Sequence, residues 1–105
     1  MKRIAVVTGA GSGIGAAIAR ELAARGDQVI VTDVNLESAQ NVASSIGDAS
    51  AKQLDVTDPQ QCAAVVAEIE AEFGPIDVWV SNAGVSRMKK FVDITEEDYD
   101  FTLDV

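Results

Sequence analysis

Two kinds of apolar pattern alternate along this chain. Short unbroken runs are each followed by longer stretches in which apolar residues recur every three or four positions. The first run, Ile4-Ala5-Val6-Val7, predicts a strand over residues 3–8 that is buried on both faces, as in a parallel sheet. Residues 16–24 follow with helical spacing, and Ile14, Ile18 and Leu22 at i, i+4 and i+8 are expected to form the core face. Gly26 is a suitable stop. Residues 28–33 read as a second strand. Residues 36–46 read as a second helix, with Asn35 as N-cap and Gly47 beyond its end. A third strand is expected over 51–56. Asp58-Pro59 then opens a third helix through Phe73, a capping carboxylate followed by proline at the first helical position. That helix sets Val65, Val66, Ile69 and Phe73 on one side. Gly74-Pro75 breaks it, residues 76–80 form a fourth strand, and Thr95-Glu96-Glu97-Asp98 caps a last helix running to the end.

Strand and helix thus alternate four times across short connections. This predicts an α/β domain over residues 1–105, a doubly wound parallel sheet with right-handed crossovers and helices on both faces. The pattern contains no linker, low-complexity stretch or internal repeat.

Composition narrows the function classes. Hydrophobic residues make up 48% of the 105, enough for a globular core. The net charge of −9 disfavours nucleic acid or an anionic membrane as a partner, because either would select a basic face. No apolar run has the length of a membrane span, and Met1-Lys2-Arg3 with four apolar residues after it is too short for a signal peptide. Cys62 is the single cysteine, so no internal disulfide can form and a reducing, cytoplasmic location is expected.

The chemistry begins in Thr8-Gly9-Ala10-Gly11-Ser12-Gly13-Ile14-Gly15. Glycine admits positive φ angles and removes the Cβ that would hold a ligand away. A helix starting here aims free N–H groups and its positive dipole end at the loop, which suits a phosphate. Gly11 to Ala16 match the dinucleotide fingerprint in its Gly/Ala form, between a strand and a helix as that motif requires. Asp33, ending the second strand, stands where a carboxylate accepts from both adenosine ribose hydroxyls and repels a 2′-phosphate. No Lys or Arg lies at Ser12, Val34 or Asn35 to offset that repulsion, so NAD is favoured over NADP. Asp55, at the end of the third strand, could accept from the adenine amino group or could serve turn chemistry. Asn82-Ala83-Gly84 follows the fourth strand, where an Asx-type turn is the alternative.

Together, Thr8-Gly-x-x-x-Gly-Ile-Gly15, Asp33, Asp55-Val56 and Asn82-Ala-Gly84 resemble the short-chain dehydrogenase/reductases over the whole chain. The resemblance implies a Rossmann-like fold in strand order 3-2-1-4, a nicotinamide cofactor, and hydride transfer to or from an alcohol or carbonyl. It implies cofactor binding by Gly9, Ser12, Gly13, Ile14 and Gly15 at the pyrophosphate, and by Asp55 and Val56 at the adenine. Asn82, Ala83 and Gly84 would lie beside the cofactor ribose. Ser81 stands where the family usually has a second Asn. The family's catalytic Asn, Ser and Tyr-x-x-x-Lys lie beyond a segment like Phe101 to Val105. Tyr99 has Leu103 four residues on instead of Lys, and Ser86 is not at the catalytic serine's place, so no catalytic residue is assigned.

The chain is therefore expected to be the cofactor-binding half of an NAD-dependent oxidoreductase, inactive by itself and homo-oligomeric, as dimer or tetramer, in complete form. The sheet would be incomplete relative to the family's, leaving the fourth strand one unpaired edge. Such a half would be marginally stable or would associate through that edge. The competing readings are an NAD-binding module without turnover and a methyltransferase, whose fold also uses a glycine loop; Thr8, Ile14-Gly15 and Asn82-Ala-Gly84 argue against the latter. Cys62 is expected to be a buried small hydrophobe or an inert thiol, Trp79 to be core, and Lys89-Lys90 to be a solvated loop.

Overall fold

Four consecutive buried residues, Ile4 to Val7, form β1 (Ile4–Val7) at the centre of the computed structural model, which describes residues 2–82. The other elements are α1 (Gly13–Ala24), β2 (Gln28–Asp33), α2 (Leu36–Ile46), β3 (Ala49–Gln53), α3 (Pro59–Phe73) and β4 (Val78–Val80). All strand pairs are parallel and the order is β3-β2-β1-β4, the predicted Rossmann-like arrangement. Val6 pairs with Ile30 on one side and Trp79 on the other. The expected helix from Thr95 and the loop from Val85 to Phe91 lie outside the described residues.

Because side chains alternate across a strand, the sheet divides the core in two. Ala5, Val7, Val29, Val31, Val78 and Val80 meet α1 and α2 on one face. Ile4, Val6, Ile30 and Leu54 meet Val65 and Ile69 of α3 on the other, with Cys62, Phe73 and Trp79 half-buried at its margin. Cys62 is therefore only partly covered.

Helix starts and stops follow their caps. Asn35 accepts from the Ser38 N–H at 3.0 Å, and Asp58 accepts from the Gln60 and Gln61 N–H groups. Gly26, Gly47 and Gly74 follow the three helices at positive φ. Below the sheet, Arg3 makes a two-pronged bond to the buried Asp27 carboxylate at 2.9 and 3.1 Å.

The structure corrects the sequence reading in three places. The inward face of α1 is Gly15, Ala16, Ala19 and Leu22, whereas Ile14 is 36% exposed and Ile18 half-buried. The helix begins so close to the ends of β1 and β4 that only small residues fit between them. β3 spans 49–53, not 51–56. Leu54 N–H still donates to the Asp33 carbonyl, but Asp55 then turns out of the sheet, held by its N–H to Gln61 Oε1. β4 begins at Val78, not Ile76, because the Asp77 side chain takes the Ile4 N–H at 2.7 Å while the Asp77 N–H donates to the Ile4 carbonyl. Among the described residues no helix is long and apolar enough to cross a membrane.

The two isoleucines on opposite sides of this correction give a test. Ile69 is fully buried, so Ile69→Ala is expected to cost about 2–5 kcal/mol by loss of transfer energy and cavity formation. Ile14→Ala, at a surface position, is expected to cost less than about 1 kcal/mol. Urea unfolding followed by circular dichroism measures both, and equal losses would contradict the packing described.

Candidate functional site

The carboxyl ends of β1, β2 and β4 converge on the glycine loop, with β1 and β4 adjacent at the sheet centre. Open α/β sheets place ligand crevices outside the carboxyl ends of their strands. Four hydrogen bonds join β4 and Asn82 to the loop, one of them from the Thr8 hydroxyl to the Val80 carbonyl at 3.3 Å. The Thr8 N–H donates to the Val80 carbonyl at 3.0 Å, the Asn82 N–H donates to Thr8 Oγ1 at 2.9 Å, and Asn82 Nδ2 donates to the Gly9 carbonyl at 3.2 Å. Asn82 is 4% exposed, and its Oδ1 is buried without a partner among the described residues. Ala83 and Gly84 lie outside the described residues.

The alternate glycines have different physical reasons. A Cβ on Gly15 would overlap the Gly9 carbonyl oxygen and sit 2.5 Å from Asn82 Nδ2, so this residue is small because the protein itself is there. A Cβ on Gly11 would lie 2.7 Å from Ser38 Cβ and 2.9 Å from the Asp33 carboxylate. Gly13 is the opposite case: φ is +58° and nothing lies within 4 Å of a Cβ. Gly9 shares the positive φ, at 60°. Close approach of a ligand is thus a reason available at Gly13, while Gly11 and Gly15 are required by neighbouring chain.

Ser12 is the N-cap of α1, with extended backbone and no side-chain bond to the first turn, and no acid stands in that turn. Its exposed side chain and that of Ile14 flank the loop mouth. Among the three helices described, α1 alone has N-terminal amides that no capping side chain accepts from. With the helix dipole, those amides form a positive opening over Gly13.

Asp33 sits half-buried at the end of β2. Its Oδ2 accepts from the Gly11 N–H and its Oδ1 from the Asn35 N–H, both at 2.9 Å. Sequence reasoning placed Asp33 at the end of the second strand but missed its bond to Gly11 and missed Thr32 and Ser38 beside it. The Thr32 hydroxyl donates to the Val7 carbonyl at 2.9 Å, buried between the two strands, and Ser38 backs Gly11 from α2. A threonine at the end of an otherwise aliphatic strand was the available signal for the first. Ser38 carries none that separates it from ordinary helix-start chemistry.

Asp55 lies away from the glycines, in the turn after β3. Its Oδ1 accepts from the Thr57 hydroxyl at 2.6 Å and the Thr57 N–H at 2.9 Å. The hydroxyl bond first, and the amide bond second, hold its carboxyl below the usual aspartate range, so it is an anion at neutral pH. Turn chemistry therefore occupies one of its oxygens. Val56, 39% exposed, borders an apolar cavity of about 400 Å³ with Cys62, Ala63, Val66, Trp79 and Ser81. Ser81 Oγ accepts from the Trp79 indole N–H at 3.2 Å.

With this geometry in view, comparison with known proteins is specific. The family model described as short chain dehydrogenase matches residues 3–105. Galactitol 2-dehydrogenase of Agrobacterium fabrum is 42% identical over 98% of this chain and 41% of its own length. Cis-4-hydroxycyclohexanecarboxylate dehydrogenase of Sinomonas cyclohexanicum is 50% identical over 84% of this chain and 36% of its own. Among solved structures, a hydroxysteroid dehydrogenase from Escherichia coli superposes with a TM-score of 0.75 at 37% identity, over 78% of this chain and 37% of that one. The chain spans about two fifths of the length of the curated relatives it matches. Fold, glycine loop and sequence agree, and the chain belongs to the short chain dehydrogenase family.

Proposed function

We propose that this chain is the NAD-binding part of an oxidoreductase that interconverts an alcohol and its carbonyl. The observation carrying this reading is the pairing of an uncapped α1 N-terminus over Gly13 with a carboxylate, Asp33, at the end of the neighbouring strand. The first-turn amides of α1, with Ser12, Gly13 and Ile14 around them, would hold the pyrophosphate. Gly9 and Gly15 would support that turn from behind. Asp33 would take the adenosine ribose hydroxyls with the lone pairs its two amide bonds leave over. Asp55 and the apolar Val56 would border the adenine, and Asn82, Ala83 and Gly84 would stand near the nicotinamide-side ribose. The bound cofactor would supply hydride transfer; the chain's own part is to hold and orient it.

Preference for NAD follows from charge. A 2′-phosphate beside Asp33 would set two anions together, and the neighbouring Ser12, Val34 and Asn35 offer no cation. The alcohol class is supported by the three proteins named above, each a dehydrogenase of a hydroxylated compound by its name. Their substrates are a sugar alcohol, a hydroxycyclohexane acid and a hydroxysteroid, which share little beyond the hydroxyl. The complete protein is proposed to be a cytoplasmic homo-oligomer, as a dimer or tetramer.

Calorimetric titration with NAD, NADP and S-adenosylmethionine tests the assignment. NAD is expected to bind at least about tenfold tighter than NADP, the scale of one hydrogen bond to a charged group, and S-adenosylmethionine is expected not to bind. Equal or tighter NADP binding would contradict the role given to Asp33, and Asp33→Ala should narrow the margin. Gly13→Ala should weaken NAD by about tenfold or more, since a left-handed alanine costs roughly 1–2 kcal/mol and its methyl enters the open side. Unchanged affinity in that variant would place the pyrophosphate elsewhere.

A further inference from the structure

The β1–β2 ladder ends at Val7 and Val31, yet the chain beyond β1 stays tied to the end of β2. The Ala10 N–H donates to the Thr32 carbonyl at 2.8 Å, and the next amide, Gly11, donates to Asp33 Oδ2 at 2.9 Å. Two consecutive loop amides are therefore held by two consecutive residues of the neighbouring strand. The second bond needs a side chain, because the β2 backbone is by then committed elsewhere. The Asp33 carbonyl accepts from Leu54 of the β3 side, and its Oδ1 accepts from the Asn35 N–H ahead of α2. Gly11 has no Cβ to offer because that atom would lie 2.9 Å from the same carboxylate.

We infer that Asp33 is a positioning residue for the glycine loop, so that the charge facing the adenosine ribose also sets the loop that faces the pyrophosphate. The ligand half of this inference rests on the dinucleotide reading above; the loop half does not. A carboxylate has about four acceptor positions. Two serve Gly11 and Asn35, and two remain for ribose hydroxyls, so both tasks are compatible at once. Asparagine keeps one acceptor oxygen and must release one amide; alanine releases both. Removing Asp33 to accommodate a 2′-phosphate should thus loosen the grip on every dinucleotide, not only on NAD.

The test has a ligand-free arm and a ligand arm. In the 105-residue chain without cofactor, hydrogen exchange at Gly11 by NMR should accelerate about tenfold or more in Asp33→Ala, the loss of one hydrogen bond to a charged group. The adjacent Ala10 amide, bonded to the Thr32 carbonyl, serves as internal control and should change far less. Should the alanine variant unfold, Asp33→Leu provides the same comparison with a near-isosteric side chain that accepts from neither amide. Unchanged Gly11 exchange in the folded variant, or equal acceleration at Gly11 and Ala10, would overturn the inference. In the ligand arm, an adenosine diphosphate analogue whose ribose lacks both hydroxyls is titrated into each protein. Its affinity should fall about tenfold or more in the Asp33 variants, although Asp33 has no hydroxyl to meet. Undiminished affinity alongside faster Gly11 exchange would overturn the functional half and confine Asp33 to the ribose. Failure of the unsubstituted chain to bind NAD at all would count against the dinucleotide reading instead, and the exchange measurement would still decide the loop.

Discussion

The first turn of α1 is packed directly against the junction of β1 with β4. Gly15 lies against the Gly9 carbonyl and the Asn82 amide with no room for a methyl group. Most of the site depends on that contact. It places the helix N-terminus directly over the strand ends, where its dipole and amides act at short range. Its inner neighbours Ala16 and Ala19 are fully covered. It also requires the β4 end to be anchored, which Thr8 and Asn82 do through four hydrogen bonds across the strand pair.

Much of this was legible in the residues. The alternation of apolar runs and helical spacing predicted every described element in the right order, because parallel strands buried on both faces leave a continuous aliphatic signature. Asn35, Asp58 and the glycines after each helix marked boundaries that the structure keeps to within a residue or two. What periodicity could not show was how α1 sits at its start: Leu22 is buried and Ile18 packs against the core, but Ile14 is exposed. Ile14, Ile18 and Leu22 make a sound hydrophobic stripe, but distance from the sheet, not hydrophobicity, decided the outcome. Nor could spacing show that β3 ends before Asp55, since that depends on Gln61 reaching back from α3. The glycines were read as room for a ligand. Two of the four prove to be room for Asp33, Ser38 and the Gly9 carbonyl; Asp33 and Ser38 stand 22 and 27 positions beyond Gly11 in sequence, so no local motif encodes them.

Charge placement completes the picture. The chain carries 17 acidic residues against 8 basic ones, an unpromising balance for meeting a pyrophosphate. The first turn of α1 nevertheless contains no acid, whereas α2 carries Glu37 in its own. Asp33, the acid nearest the loop, has each carboxylate oxygen paired with a backbone amide. The local field at the loop is thus set by amides and a helix dipole rather than by the net charge, which acts over longer distances and is screened by salt.

The small inward face of α1 has a consequence for how this helix tolerates change. In most amphipathic helices the large apolar residues are the constrained ones, and small residues are free to vary. Here size and constraint run in opposite senses over the first two turns. Ile14 can exchange for other side chains with modest loss, while Gly15, Ala16 and Ala19 leave little room for anything larger. Substitutions that a hydrophobicity scale ranks as mildest, a methyl added to glycine or two to alanine, are the ones this helix can least absorb.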